Sequence, residues 1–189
     1  MALTPPAMIK GRSVQLRPLA ASDLEQSLIW RNDPAIRDAQ LGWPFPITQP
    51  MEERWYAEAL SGQRNDRVTF AVETTDGQLG GFVHLAHINW TSRVASFGIT
   101  IGSTELQGQG LGKEATALII GYAFDTLGLE RVWLEVPAFN KRAIGLYESI
   151  GFCHEGKLRS HAFSGGVRHD VLVMGLLRGD RSTRGGRVS

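Results

Sequence analysis

The run Gln107-Gly108-Gln109-Gly110-Leu111-Gly112-Lys113 is the stretch of this 189-residue chain best suited to hold an anion. Glycine admits positive φ and lets a ligand come close to the backbone. A helix beginning there adds exposed N–H groups and the positive end of its dipole. The run follows an alternating stretch, Val94 to Ile101, and precedes a helical one, Lys113 to Leu127, so it reads as a strand-to-helix turn. Its spacing excludes two nucleotide motifs. A Walker-type loop needs glycine where Gln107 stands and Ser or Thr where Glu114 stands. The dinucleotide fingerprint G-x-G-x-x-G needs its third glycine one residue later than Gly112, and no acidic residue follows to hold a ribose. A plain glycine-rich connector remains the bland alternative.

Further along, Glu135 shares a strand face with Trp133, opposite Val132, Leu134 and Val136. A carboxylate there costs desolvation energy unless it is paired or used. Asn140 stands where a helix N-cap belongs. Tyr147, one turn before the end of that helix, reads on its own as a core aromatic with a satisfied hydroxyl. Lys113 and Arg142 can neutralise a phosphate or simply face solvent. Cys153 and His154 point to opposite faces if their strand continues, which leaves no thiolate dyad. His84 and His87 also alternate, and with His161 and His169 in a loop no zinc set emerges.

Gln107-x-x-Gly110-x-Gly112 resembles the Q/R-x-x-G-x-G/A pyrophosphate loop of the GNAT family of N-acetyltransferases. Leu134-Glu135-Val136, Asn140-Lys141-Arg142-Ala143 and Leu146-Tyr147-Glu148-x-x-Gly151-Phe152 follow in that family's order. The resemblance spans Val14 to Leu177 and is closest in flavour to the RimJ/RimL-like branch, which modifies ribosomal-protein N-termini, polyamines or small amines. It implies an acetyl-CoA-dependent enzyme that passes an acetyl group directly to an amine in a ternary complex. A non-catalytic acyl-CoA sensor on the same fold is the alternative. The implied cofactor site is the backbone of Gln107, Gly108, Gln109, Gly110, Leu111 and Gly112, with Lys113 and Arg142 beside it and Asn140 on the pantetheine arm. Backbone N–H groups of Ile99, Thr100 and Ile101, at a strand bulge, would stabilise the oxyanion. Tyr147 would protonate the departing thiolate, and Glu135, directly or through ordered water, would act as base. Trp30-Arg31-Asn32 and the Trp43–Phe45 loop fall where the family shapes its acceptor pocket, and they read equally as core and connector. Peptide N-terminus, polyamine, amino acid and antibiotic amine all stay open as acceptors. The implied fold is α/β: a mixed, twisted central sheet splayed near its middle, helices on both faces, and CoA in the splay between Val94–Ile101 and Arg131–Val136. A homodimer is the implied assembly.

These side chains need a scaffold, and the hydrophobic pattern supplies one. Period-2 alternation marks strands near 14–19, 68–72, 79–88, 94–101, 131–136, 155–160 and 171–177, the last two flanking a Ser164-Gly165-Gly166 turn. Helices open at the capping-box spacing Ser22-Asp23-Leu24-Glu25, carry Met51, Trp55 and Ala59 on one face, run from Lys113 to Leu127, and start at Asn140. The order β α α β β β α β α β β has no internal repeat. One domain is expected over residues 12–178, after an N-terminal extension of 1–11 and before a basic tail, 179–189, that reads as disordered. Hydrophobic content of 42% suits a proper core, and a net charge of +1 argues against a nucleic-acid binder. No apolar run approaches the ~20 residues of a membrane span. The single cysteine, Cys153, precludes an intramolecular disulfide and favours a cytoplasmic setting.

Overall fold

A computed structural model of the chain describes residues 5–39, 45–60 and 65–184. Eight strands form one sheet: β1 (Ile9–Lys10), β2 (Val14–Arg17), β3 (Val68–Thr74), β4 (Leu79–Asn89), β5 (Val94–Ile101), β6 (Arg131–Pro137), β7 (Cys153–Ser164) and β8 (Val167–Leu177). Their spatial order is β1-β2-β3-β4-β5-β6-β8-β7, and among the described strands only β5 and β6 run parallel. The helices are α1 (Leu24–Asn32), α2 (Pro34–Ala39), α3 (Gln49–Leu60), α4 (Leu111–Gly121), α5 (Lys141–Ile150) and α6 (Arg178–Arg184). Strand alternation puts helices on both faces. Phe70 and Val72 of β3 and Val83 and Leu85 of β4 join the main core with Ile119 of α4 and Ile144 of α5. Ala71 and Phe82 point the other way, where Leu19, Trp55 and Tyr56 cover them.

The splay has a register cause. β5 pairs with β6 only at Val94↔Arg131, Ala95↔Val132 and Ser96↔Trp133. Beyond that, β5 stays with β4 out to Ile101 while β6 stays with β8 out to Pro137. Phe97, the first residue past the last β5–β6 pair, meets Tyr147 and Phe152 with ring centroids 5.9 and 6.2 Å away. This aromatic cluster fills the wedge that hydrogen bonds would otherwise close.

Several boundaries differ from expectation, each for a local reason. Ser22 does not cap α1; a 3₁₀ turn, Ala21–Asp23, comes first. The Asp23 carboxylate accepts from the Ala20 N–H at 2.8 Å and from the Arg17 guanidinium at 2.8 Å. Arg17, only 3% exposed, also donates to Glu73 at 2.7 Å, so the two carboxylates neutralise a buried cation at the end of β2. α2 adds a helix at Asp33-Pro34: proline suits a first helical position, and the Asp33 carboxylate accepts from the Ala35 N–H at 2.8 Å. β1 places residues 9 and 10 of the expected extension in the sheet, paired with Leu16 and Gln15. Residues 179–184, expected to be disordered, belong to α6, where Asp180 accepts from the Leu177 N–H and Arg181 pairs with Asp125 at 2.8 Å. The remaining tail, 185–189, lies outside the described residues. The expected helix from Lys113 starts at Leu111 and ends in a π-helical turn, Tyr122–Thr126, before Gly128 at φ 66.

Candidate active site

α4 begins where β5 ends, and the turn between them carries the glycines. Gly108 and Gly110 take φ of 86 and 87, the left-handed region, and Gly110 is the residue from which α4 starts. Gln107 donates its side-chain amide to the Ile101 carbonyl at 3.1 Å, tying the turn to the strand end. At the far side, Glu114 in the first turn of α4 accepts from the backbone of Arg12 and Ser13. Those bonds hold its carboxyl below the usual range, with burial opposing them. The helix N-terminus is therefore anchored to the turn between β1 and β2 as well as to β5.

These elements enclose a cavity of about 460 Å³ in the splay. Of the residues expected from the sequence, Ile99, Thr100, Ile101, Gln107, Gly108, Gly110, Gly112, Lys113, Glu135, Asn140, Arg142 and Tyr147 all line it. Gln109 and Leu111 do not. Leu111 turns into the core at 5% exposure, and the Gln109 amide folds back onto the Glu105 carbonyl at 2.7 Å. A nitrogen of Arg142 lies 3.9 Å from the point a Gly108 side chain would occupy, which sets its cation over the turn.

Asn140 caps α5: its Oδ1 accepts from the Ala143 N–H at 3.1 Å, and the residue also lines the cavity. Tyr147 on α5 is 9% exposed and packs against Phe97 and Phe152. Burial pushes its hydroxyl up to about 12. The phenol keeps its proton throughout the neutral range. Glu135 is exposed on β6, on the opposite face from buried Val132, Leu134 and Val136. Its register partner is Val173.

Two features depart from the sequence reading. The register between Gly81↔Ile101 and Ala86↔Ser96 runs without a break, so residues 99–101 form no bulge. The irregularity lies instead in β4 between Ala86 and Asn89, where His87 takes φ 50. The 97–101 stretch faces the cavity because β6 diverges. The second feature is His84, which spacing alone marked only as half of a failed zinc pair. It pairs with Gly98 across the β4–β5 register, and a side chain on Gly98 would come within 2.5 Å of its imidazole ring. The missing side chain leaves room for the ring at the cavity wall. Glycine inside a strand is the signal that could have located it, but only once the partner strand and register are known.

His84 also lines a second cavity of about 240 Å³, together with Trp30, Arg31, Trp55, Phe82 and Thr100. His84 and Thr100 thus border both chambers. Burial lowers His84 to about 4, helped by the charges of Arg67 and His87. The unfolded chain takes up this proton near pH 6.5 and the folded chain only near pH 4, so stability falls as pH drops through that window. A His84→Gln variant is expected to lose less melting temperature than wild type between pH 7 and pH 4.5. Parallel losses across that range would show that His84 is not held neutral.

Trp30-Arg31-Asn32 divides its roles. Trp30 and Arg31 border the second cavity, and Asn32 exchanges two 2.9 Å hydrogen bonds with the backbone of Ile47. Trp43 and Pro44 lie outside the described residues, and Phe45 is exposed. His154 meets the Glu148 carboxylate at 2.8 Å, while Cys153 is exposed. Among the described residues no three His, Cys, Asp or Glu side chains gather as a metal site, and no helix is long and apolar enough to cross a membrane.

Comparison with known proteins agrees with this geometry. Residues 13–153 match the model of the Acetyltransferase (GNAT) domain. A spermidine N(1)-acetyltransferase of Vibrio cholerae is 37% identical over 163 residues, 86% of this chain and 92% of that protein. One from Escherichia coli K12 is 33% identical over 167 residues, covering 88% and 87%. The crystal structure of the spermidine N-acetyltransferase from Vibrio cholerae, in complex with CoA and spermine, superposes with a TM-score of 0.84 at 30% identity, covering 90% of this chain and 98% of that one. With its splayed sheet, glycine turn and matched domain, the chain belongs to the GNAT acetyltransferase family and is an acetyl-CoA-dependent N-acetyltransferase.

Proposed function

We propose that acetyl-CoA enters the 460 Å³ cavity with its pyrophosphate on the Gln107–Lys113 turn, and that the amine arrives through the smaller cavity to meet the thioester beside His84 and Thr100. The observation that carries this reading is the junction of the two chambers at those residues. The amine nitrogen attacks the thioester carbonyl, forming the C–N bond; the C–S bond then breaks. Backbone N–H groups along 99–101 stabilise the oxyanion. The nitrogen releases a proton to Glu135 or to water it orders, and the thiolate takes one from Tyr147, so one proton passes in net from nitrogen to sulfur. His84, held neutral, accepts a hydrogen bond from the amine and aims its lone pair. The order of motifs from Leu134 to Phe152 supports placement in the RimJ/RimL-like branch, and the family resemblance supports a homodimer.

Gly110 tests the donor half of this scheme. Nothing lies within 4 Å of a Cβ placed there, so the chief cost of Gly110→Val is the strain at φ 87. A β-branched residue in that region pays of order 1–3 kcal/mol or moves the turn. The expected result is a folded protein with acetyl-CoA affinity reduced at least about tenfold by calorimetry. Unchanged affinity in a folded variant would remove the turn from the cofactor site.

A further inference from the structure

We infer that Thr69 is a specificity-determining residue for the acceptor, its hydroxyl binding a second polar group that stands two or three carbons from the reacting nitrogen. The inference rests on the two-chamber reading above and adds what the amine must carry. Among the described residues, the Thr69 hydroxyl oxygen is the one buried side-chain polar atom with no hydrogen-bond partner. A buried hydroxyl left unpaired costs free energy that a ligand supplying the bond would return. β3 puts it within a ligand's reach. Phe70 and Val72 face the main core, so Thr69 and Ala71 face the other way, toward α1 and α3. Thr69 stands opposite His84 on β4, and His84 stands opposite Gly98 on β5. This cross-strand row runs from one chamber to the other. Of the two cavities, Thr69 lines only the smaller, His84 lines both, and Gly98 lines only the larger.

Opposed residues of an antiparallel pair hold their Cβ atoms about 4.5–5.5 Å apart. With the reacting nitrogen at His84, Thr69 therefore meets an atom further back along the acceptor, at the span of a two- or three-carbon spacer. The neighbouring wall is apolar or already paired. Trp30 and Phe82 meet edge to face, ring centroids 5.8 Å apart, and Ile47 lies beside them. The Ser27 hydroxyl donates to Glu52 at 2.6 Å, and Arg31 pairs with the same carboxylate and stacks over Trp55. Arg37, Arg67 and Thr100 hold interactions of their own. The Thr69 hydroxyl both donates and accepts, so it suits a hydroxyl or an amine as the second group. A methyl in that place leaves the oxygen unpaired, and the site discriminates against it.

The test uses isosteric amines in which only the second group changes. Ethanolamine is set against propylamine at the two-carbon spacing, and 3-aminopropanol and 1,3-diaminopropane against butylamine at the three-carbon spacing. CoA release gives kcat and KM, and binding of each probe to the CoA-saturated protein is measured alongside; where a probe binds without turnover, the binding preference decides. Wild type is expected to prefer the polar member at one spacing at least by about 10–100-fold, chiefly through KM. Thr69→Val keeps the shape and loses the hydroxyl, so the preference should vanish, and Thr69→Ser should restore it. Thr69→Val should also melt no lower than wild type, because no native hydrogen bond is removed. Thr69→Leu fills the chamber and should block every amine while calorimetry shows CoA affinity retained. A preference absent from wild type, or one that survives Thr69→Val, overturns the inference; a block in Thr69→Leu then keeps the two-chamber reading. A lower melting temperature in Thr69→Val with all probes affected alike makes the hydroxyl structural and also overturns it. Wild-type turnover in Thr69→Leu means the amine takes another route, and both fall.

Discussion

Tyr147→Phe is expected to lower turnover by about 10²–10⁴-fold while acetyl-CoA binding stays within a few-fold of wild type. The substitution removes one hydroxyl from a ring already held by Phe97 and Phe152, so packing in the wedge is retained. Among the described residues that hydroxyl has no hydrogen-bond partner, which leaves its proton available to a ligand. A free phenol near 10 is already a weaker acid than a thiol near 8.5, and burial carries Tyr147 up to about 12. Transfer to a solvated thiolate would therefore be uphill. The same burial raises the basicity of a thiolate formed against the ring, and the proton moves when that charge develops rather than before. A consequence follows for pH: wild-type turnover should show no descending limb from this acid below about pH 11. Full turnover in Tyr147→Phe by a CoA-release assay would assign proton delivery to solvent.

How much of this was legible beforehand depended on whether a feature is local in sequence. The turn was legible because positive φ at Gly108 and Gly110 demands glycine whatever the tertiary context. β6 was legible because Val132, Leu134 and Val136 face the core while Trp133 and Glu135 do not. The Asn140 cap was legible because capping is decided within four residues. Non-local pairing was the limit. The splay could be inferred only through family resemblance, because three β5–β6 pairs followed by none leave no mark on either strand's composition. Ser22 does not cap α1 because a 3₁₀ turn precedes the helix, its Asp23 carboxylate accepting from the Ala20 N–H and from Arg17 of β2, which also pairs with Glu73 of β3. The smaller chamber gathers residues from Ser27 to Thr100 across both helices and strands, and no short motif encodes it.

Glu135→Gln is expected to cost a comparable factor, about 10²–10⁴ in kcat/KM, and to change how the rate depends on pH. The acceptor nitrogen must reach the carbonyl unprotonated. With an amine of pKa near 8 to 10.4, its neutral fraction falls about tenfold for each pH unit below that value. In the proposed scheme the Glu135 carboxylate on the cavity wall takes the proton locally and so flattens this dependence. Without it, the logarithm of the rate should climb by about one per pH unit until the amine's own pKa is reached. The defect is therefore largest at low pH and shrinks as pH rises. Geometry sharpens the comparison, because Glu135 lines the donor cavity while His84 borders both chambers. In the proposed scheme His84, held neutral at the junction, aims the amine's lone pair and takes no proton, so His84→Gln should raise KM for the amine and leave the slope of the pH profile unchanged. A wild-type profile in Glu135→Gln, with the steep slope appearing in His84→Gln, would exchange the two roles: His84 would be the base, and Glu135 only an exposed residue on β6.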